Sequence, residues 1–510
     1  MRPTPDWPVR DLLAHRASTT PAAQAVVDAD TGRTWTYRDL DRLVDRAAAR
    51  VSSRLGSATA AGGPFDRASV ALAASTTVEF TVGLFATWRA GAVAVPLDVT
   101  APDSVLEERL DDVGASLLVV TDPSEPWGSV ADGRQMLSLA DAAEADPSTR
   151  GQAAAVDEAA EWAPAEPALV CFTSGTTGSP KGVLLSHRNL VSSAYASASR
   201  LGLARDERWL DCLPTNHVGG VAPLVRSACY GTTAVLQRGF DRDATAVAMG
   251  EHDVTAVSLV PTQLRRLLED GWTPPDALRV VLLGGAPAGD ELLARARDAT
   301  VPVSPTYGTT ETASQIATLP SDASAAANAV GPPLVVADVT IVEPGTERPL
   351  DAGEVGELVV DGPIVSQGYL DDAATAAAFG EFGLHTGDLA SRDERGRLSI
   401  HGRLDDAIQT GGETVHPWRV ADVLESHPAV DAAAVVGVPD PEWGERVAAM
   451  VVSVDDESLD RSSLVASCRA DLASHEVPKT VQVVDRLPRT ASGTVDRDAA
   501  REALAGSGSD

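Results

Sequence analysis

The densest grouping of residues able to do chemistry in this 510-residue chain is LVCFTSGTTGSPKGVLLSHRNL, residues 169–190. An apolar run, Ala168–Phe172, leads into Thr173, Ser174, Gly175, Thr176, Thr177, Gly178 and Lys181, and a second, Val183–Leu185, leads out. Backbone N–H and side-chain hydroxyl groups packed this closely can wrap phosphates. Glycine permits the close approach, and Lys181 supplies a point charge. This is not a Walker A loop: Pro180 stands where that loop has glycine, and Gly182 follows the lysine in place of Ser or Thr. A plain Ser/Thr/Gly turn between hairpin strands is the competing reading, and the length of the string argues against it.

Further along, TYGTTET (306–312) sets a flat ring, Tyr307, beside a phosphate donor, Thr310, and a hard oxygen ligand for Mg²⁺, Glu311. A core aromatic and a surface charge are the alternatives, but aromatics make up only 4% of the chain, and placing one here favours a site. Gly284, Gly285, Ala286 and Pro287 follow an apolar run, where ligands bind in open α/β sheets; an ordinary left-handed turn would look the same. Asp388, in Thr386-Gly387-Asp388, offers a carboxylate to hydroxyls or caps a turn.

The elements that must hold these groups alternate between two periods. Val70–Ala74 reads as a strand, Val78–Ala90 as a helix and Ala92–Pro96 as a strand. Ser104–Val113 then reads as a helix before the apolar run Ser116–Thr121. Ala256–Val260 and Arg279–Leu283 are followed by the helical Gln263–Glu269 and Glu291–Ala299. Such alternation predicts βαβ units, a largely parallel sheet and the α/β class. Gly56–Pro64, Glu144–Pro167 and Pro320–Ala329 read as loops. From Glu413 the texture becomes strand, helix, strand, strand, helix, strand and a short polar end. We therefore expect a large domain over 1–403 with mixed and parallel sheets and a small α+β domain over 404–510.

Asp and Glu number 73 against 41 Lys and Arg, a formal net charge of −32, and Lys181 and Lys479 are the only lysines. No basic stripe is available to displace phosphate counterions, so nucleic acid and anionic membrane surfaces are poor partners. An acid excess spread along the whole chain with lysine nearly absent fits a salt-accumulating halophile; an acidic mesophile with a GC-rich genome is the alternative. Cys171, Cys212, Cys229 and Cys468 lack metal-site or disulfide spacing and are expected to be buried hydrophobes. With no signal-peptide core and no run of 18 apolar residues, a cytoplasmic protein without membrane insertion is expected.

The loop at 169–190 resembles the signature of the adenylate-forming superfamily of acyl- and aryl-CoA synthetases. LPTNHVGG (213–220), LLGGAP (282–287), TYGTTET (306–312), HTGDLA (385–390), GRLDDAIQTGGETVHP (402–417) and LPRTASG (487–493) match further family motifs in order. The resemblance implies ATP, Mg²⁺ and coenzyme A as ligands. It places the adenine at Gly284–Pro287, Tyr307 and Gly308, and the ribose at Asp388. Arg403 would reach ribose or phosphate, or form an interdomain ion pair. Lys181, Thr310 and Glu311 would serve the phosphates and the metal. A hinge near Asp405 would let a mobile small domain bring Gly411 and Gly412 to the pantetheine arm. His217 would order the acyl pocket or be a satisfied loop histidine.

Two departures stand out. The family's last motif carries a lysine where this chain has Thr494; Arg489 and Arg497 are near enough to substitute. Trp418-Arg419-Val420 replaces a run that commonly holds an acid. Only 17 residues follow Gly493, too few for a carrier domain, so free CoA is the expected acceptor. TYGTTETASQIATL (306–319), with Ser314 and Gln315, and Arg226 in LPTNHVGGVAPLVRSACYG look most like the o-succinylbenzoate–CoA ligases of menaquinone biosynthesis. Arg226 would fork the second carboxylate of that aromatic acid, or snorkel on a helix surface. The alternatives are another acyl- or aryl-CoA ligase and, given Thr494, a non-catalytic adenylate-binding protein. Oligomeric state has no signal in the sequence.

Overall fold

A computed structural model of the chain describes residues 11–56, 64–73, 75–121, 127, 130, 133–140, 161–173, 181–269, 271–323, 328–454, 461–488 and 495–506. Apolar runs pair in parallel, as strands covered on both faces do. One sheet orders them Gln135–Ser138, Leu117–Val120, Ser69–Ala73, Val93–Pro96, Pro167–Thr173 and Lys181–Ser186, with the last pair antiparallel. A second runs Ala317–Thr318, Val303–Tyr307, Val280–Leu283, Ala256–Leu259, Arg208–Asp211, Thr233–Leu236, Gln24–Asp28 and Thr34–Thr36. It is parallel except at its two edges. Helices Tyr37–Leu55, Val78–Arg89, His187–Leu201 and Val218–Tyr230 lie in one core that joins both sheets.

An antiparallel sheet follows, in the order Ala329–Gly331, Leu398–Arg403, Gly383–Arg392, Val355–Asp361 and Asp338–Val342. After the turn Leu404–Asp406, a last sheet orders Glu413–Val415, Ile408–Thr410, Gly444–Ser453 and Val430–Asp440, and Thr480–Val483 joins it in parallel. Helices Pro417–Glu425 and Arg461–Asp471 flank it. This is the α/β architecture expected, parallel and mixed sheets first and a smaller α+β unit last. The strand expected over Val70–Ala74 is Ser69–Ala73, and the helix expected over Glu291–Ala299 is Asp290–Asp298.

One element differs from expectation. The end read as short and polar is the helix Arg497–Gly506, whose Ala500 and Leu504, one turn apart, are fully buried against Val436 and Met450. All four cysteines are free and buried. Residues 57–63, 144–160 and 324–327 of the expected loops lie outside the described residues. Among the described residues no helix is long and apolar enough to cross a membrane.

Candidate active site

Lys181 opens its strand opposite Thr173, whose Oγ1 donates to Lys181 O at 3.4 Å. The expected phosphate-wrapping residues Ser174, Gly175, Thr176, Thr177 and Gly178 fall outside the described residues. The Lys181 ammonium lies 5.3 Å from the ring centre of Tyr369. The hydroxyl of that tyrosine donates to Glu311 Oε1 at 2.9 Å. Glu311 and Thr310 occupy a single 3-10 turn, Thr310–Thr312, capped by Thr309.

The strand Val303–Tyr307 carries the next part of the site. A Cβ on Gly284 would lie 2.7 Å from Thr306 Cγ2, so the turn Gly284, Gly285, Ala286, Pro287 abuts the end of that strand. Gly308 is more constrained still: its Cβ would lie 1.6 Å from Ser314 O, where two backbones cross. Tyr307 donates its hydroxyl proton to Asp388 Oδ2 at 2.6 Å, and Arg403 Nη1 donates to Asp388 Oδ1 at 3.0 Å and to Thr386 O at 3.0 Å. Burial pushes the Asp388 carboxyl above the usual carboxylate range, with Arg403 and Tyr307 opposing. A carboxylate has about four acceptor sites, so Asp388 retains capacity for ribose hydroxyls.

Arg226 corrects one sequence alternative. It does not snorkel: it is 2% exposed on a helix that is apolar nearly all round. Its Nη2 donates to Gln315 Oε1 at 2.8 Å and Ser314 Oγ at 3.3 Å, and its guanidinium lies 5.1 Å from the Trp209 ring centre. Gln315, 1% exposed, donates in turn to Thr318 Oγ1 at 2.6 Å. Ala313 and Ser314 take φ of +52° and +120°, a strained turn held by Ser193 Oγ donating to Ala313 O. Asp211, fully buried at the end of the Trp209 strand, is a residue sequence reading missed. Its carboxyl is pushed well above the usual range by burial, while Arg226 draws it back. His217, exposed, precedes the helix Val218–Tyr230 as its N-cap residue.

The remaining expected residues lie toward the last sheet. Arg403 Nη2 stands 4.0 Å from Asp405 in the turn Leu404–Asp406. Gly411 and Gly412 have φ of +59° and +87°, and Gly411 N donates to Trp443 O at 2.8 Å. Arg497 pairs with Asp406 at 2.5 Å; Arg489 and Thr494 lie outside the described residues. Trp418 stacks on His401 with ring centres 4.6 Å apart.

The cluster thus gathers a lysine, a carboxylate fit for a hard cation, a tyrosine–aspartate–arginine triad and a buried arginine, the equipment for holding a nucleotide beside an organic acid. Residues 13–370 match the family described as AMP-binding enzyme, and residues 419–494 match the AMP-binding enzyme C-terminal domain. The chain is 34% identical to a 2-succinylbenzoate–CoA ligase of Bacillus licheniformis, over 97% of this chain and 98% of that one. Its fold is similar to o-succinylbenzoate CoA synthetase from Bacillus subtilis in complex with the acyl-adenylate intermediate, at a TM-score of 0.81 and 31% identity, covering 97% and 98% of the two chains. That synthetase has also been solved with ATP and magnesium ion. ATP-bound MatB from Rhodopseudomonas palustris is similar too, at a TM-score of 0.85 and 28% identity over 97% and 99%. The chain belongs to the AMP-binding enzyme family.

Proposed function

We propose that the protein is an ATP- and Mg²⁺-dependent acid–CoA ligase acting on o-succinylbenzoate in menaquinone biosynthesis. The observation that carries this is the segment 307–315, which joins the Tyr307–Asp388–Arg403 triad, the Glu311–Tyr369–Lys181 contacts and the Arg226 contacts to Ser314 and Gln315, in a chain matched over 97% of its length by a ligase of that name. In the first half-reaction a carboxylate oxygen of the acid attacks the α-phosphorus in line, and pyrophosphate leaves. In the second, the CoA thiolate attacks the acyl carbonyl, and AMP leaves.

Asp388 accepts the ribose hydroxyls with Arg403 beside it, and the Gly284–Pro287 turn and Tyr307 flank the base. Lys181, Thr310 and the loop 173–178 hold the phosphates. Glu311 fits a magnesium ion: Oε1 carries one donated proton from Tyr369, and Oε2 remains for a hard cation. That ion, when bound, neutralises phosphate charge. Arg226, with Ser314 and Gln315, holds the non-reacting carboxylate, and His217 stands near the acyl pocket. The domains divide at 403/404 with a hinge near Asp405, and Gly411 and Gly412 approach the pantetheine arm after rotation. The protein works in the cytoplasm of a halophile.

AMP release in molar KCl with ATP, Mg²⁺, CoA and o-succinylbenzoate tests this, with benzoate and a medium-chain fatty acid in parallel. Turnover with the first acid alone is expected. Turnover with the fatty acid alone would replace the substrate. One specific feature, Thr494 in place of lysine, favours a second reading, an adenylate-binding relative without catalysis. Silence in the wild type with activity restored by Thr494→Lys would establish it.

A further inference from the structure

Tyr369 lies outside every motif that the sequence singles out, yet it touches two of them. Its hydroxyl donates to Glu311 Oε1 at 2.9 Å, and the face of the same ring carries Lys181 Nζ at 5.3 Å. The ring is 8% exposed. Among the described residues no ion pair joins Lys181 to Glu311 directly, although the two opposite charges share this one neighbour.

The backbone around Tyr369 is fixed on three sides. Tyr369 N donates to Thr375 Oγ1 at 2.8 Å, and the residue bridges Val183 in the Lys181 strand. Leu184 N donates to Gly368 O, and Leu370 N donates to Gly182 O at 2.8 Å. A Cβ on Gly182 would lie 2.3 Å from Leu370 Cδ1, so the Leu370 side chain packs directly over Gly182. Ser366 N donates to Glu311 O at 2.7 Å, and Asn189 Nδ2 donates to Pro363 O and Val365 O. Segment 363–370 is therefore stitched to both the lysine strand and the glutamate turn.

We propose that Tyr369 is a positioning residue: it aims the Glu311 carboxylate at the magnesium site and holds Lys181 on its ring face, preventing the pair from collapsing onto each other. The proposal rests on the ligase reading above. A flexible carboxylate and a flexible ammonium that share one neighbour are otherwise drawn toward each other, and a salt bridge between them would take each from its ligand. The hydroxyl occupies one carboxylate oxygen as a donor and so leaves the other for the cation. The ring offers the ammonium an attraction weak enough to give way to phosphate. Removing an outer partner of this kind typically weakens metal binding about 10–100-fold.

The experiment measures calorimetric affinity for Mg·ATP and for metal-free ATP in EDTA, in molar KCl. Tyr369→Phe keeps the ring and removes the hydroxyl. It should weaken Mg·ATP binding by about tenfold or more, leave metal-free ATP binding unchanged, and leave the melting temperature of the nucleotide-free protein unchanged. In a Glu311→Gln background the same substitution should add nothing. Equal losses with and without magnesium, no loss at all, or additive losses in the double variant would each overturn the role. Wild-type protein with no magnesium preference would overturn the ligase reading itself, and the wild-type arm alone decides that.

Discussion

Tyr307 and Asp388 belong to different sheets and meet in a 2.6 Å hydrogen bond, the phenol donating to Oδ2 while Arg403 takes Oδ1 at 3.0 Å. Each partner fixes one oxygen, so the Asp388 carboxylate has a single orientation before any nucleotide arrives. Asp388→Asn keeps the shape and removes the charge. A hydrogen bond to a charged group contributes about 1.5–3 kcal/mol, so the KM for ATP in pyrophosphate exchange should rise roughly 10–100-fold. Tyr307→Phe should cost less, because Arg403 still orients the carboxylate. A larger loss from Tyr307→Phe than from Asp388→Asn would contradict this ordering.

The second prediction concerns Arg226. Truncation to alanine would open a cavity in a buried helix and remove the partner of Gln315 Oε1 and Ser314 Oγ, and would confuse folding with specificity. Arg226→Lys keeps the charge and loses the fork that reaches Gln315 and Ser314. The preference for o-succinylbenzoate over benzoate, as a kcat/KM ratio, should fall by about tenfold or more, given that one good charged hydrogen bond is lost. An unchanged ratio would remove Arg226 from substrate recognition.

Much of this site is legible from the chain because its motifs are local. Continuous apolar runs announced buried parallel strands, and the glycines at 284 and 308 fall where another backbone or side chain presses close. Arg226 was legible in principle too: VGGVAPLVRSACY carries one charge in an otherwise apolar helix, and a helix apolar all round is buried. The Arg497–Gly506 helix escaped because alanine carries half its apolar stripe, and Ala500 signals burial weakly beside Arg, Asp and Glu. Tyr369 had no local signal. Its function arises where three segments distant in sequence close on one another, and periodicity cannot report that.

His187 gives a pH prediction. It is the first residue of the helix His187–Leu201, packed edge-on between Trp88 and Trp162 with ring centres 4.8 Å away on either side. Among the described residues its Nε2 has no partner. Burial lowers its pKa from 6.5 to about 4, and a helix N-terminus further disfavours a cation there. The neutral ring's contribution is therefore complete above pH 6.5 and is lost as pH falls toward about 4, because the unfolded chain takes up the proton first. The loss amounts to about 3 kcal/mol across that window. His187→Phe should flatten the pH dependence of the urea midpoint between those limits. A variant with the same slope as wild type would mean that other groups drive acid unfolding.

The last prediction joins charge to domain motion. Asp290 and Glu291 on the large domain face Asp422, Glu425 and Asp431 on the small one, and the carboxyls of Glu291, Asp422 and Glu425 are all raised. For Glu291 the main cause is a side-chain hydrogen bond with Asp431, then burial, with Arg265 and Arg295 opposing. For Asp422 and Glu425 burial leads, and neighbouring acids add to it. Raised carboxyls favour the closed contact at low pH, and that contribution is lost as pH rises through their folded values. At neutral pH the contact must then be held by the His401–Trp418 stack and by screening, whose length shrinks from ~8 Å at physiological ionic strength to ~3 Å in molar salt. Hydrogen exchange across residues 403–407 should be fast in dilute neutral buffer and slow in molar KCl. Asp431→Asn should reduce that salt dependence, and Trp418→Ala should speed exchange at every salt concentration. Exchange and turnover both indifferent to KCl would refute the halophile reading, because a net charge of −32 makes the chain's self-repulsion sensitive to screening.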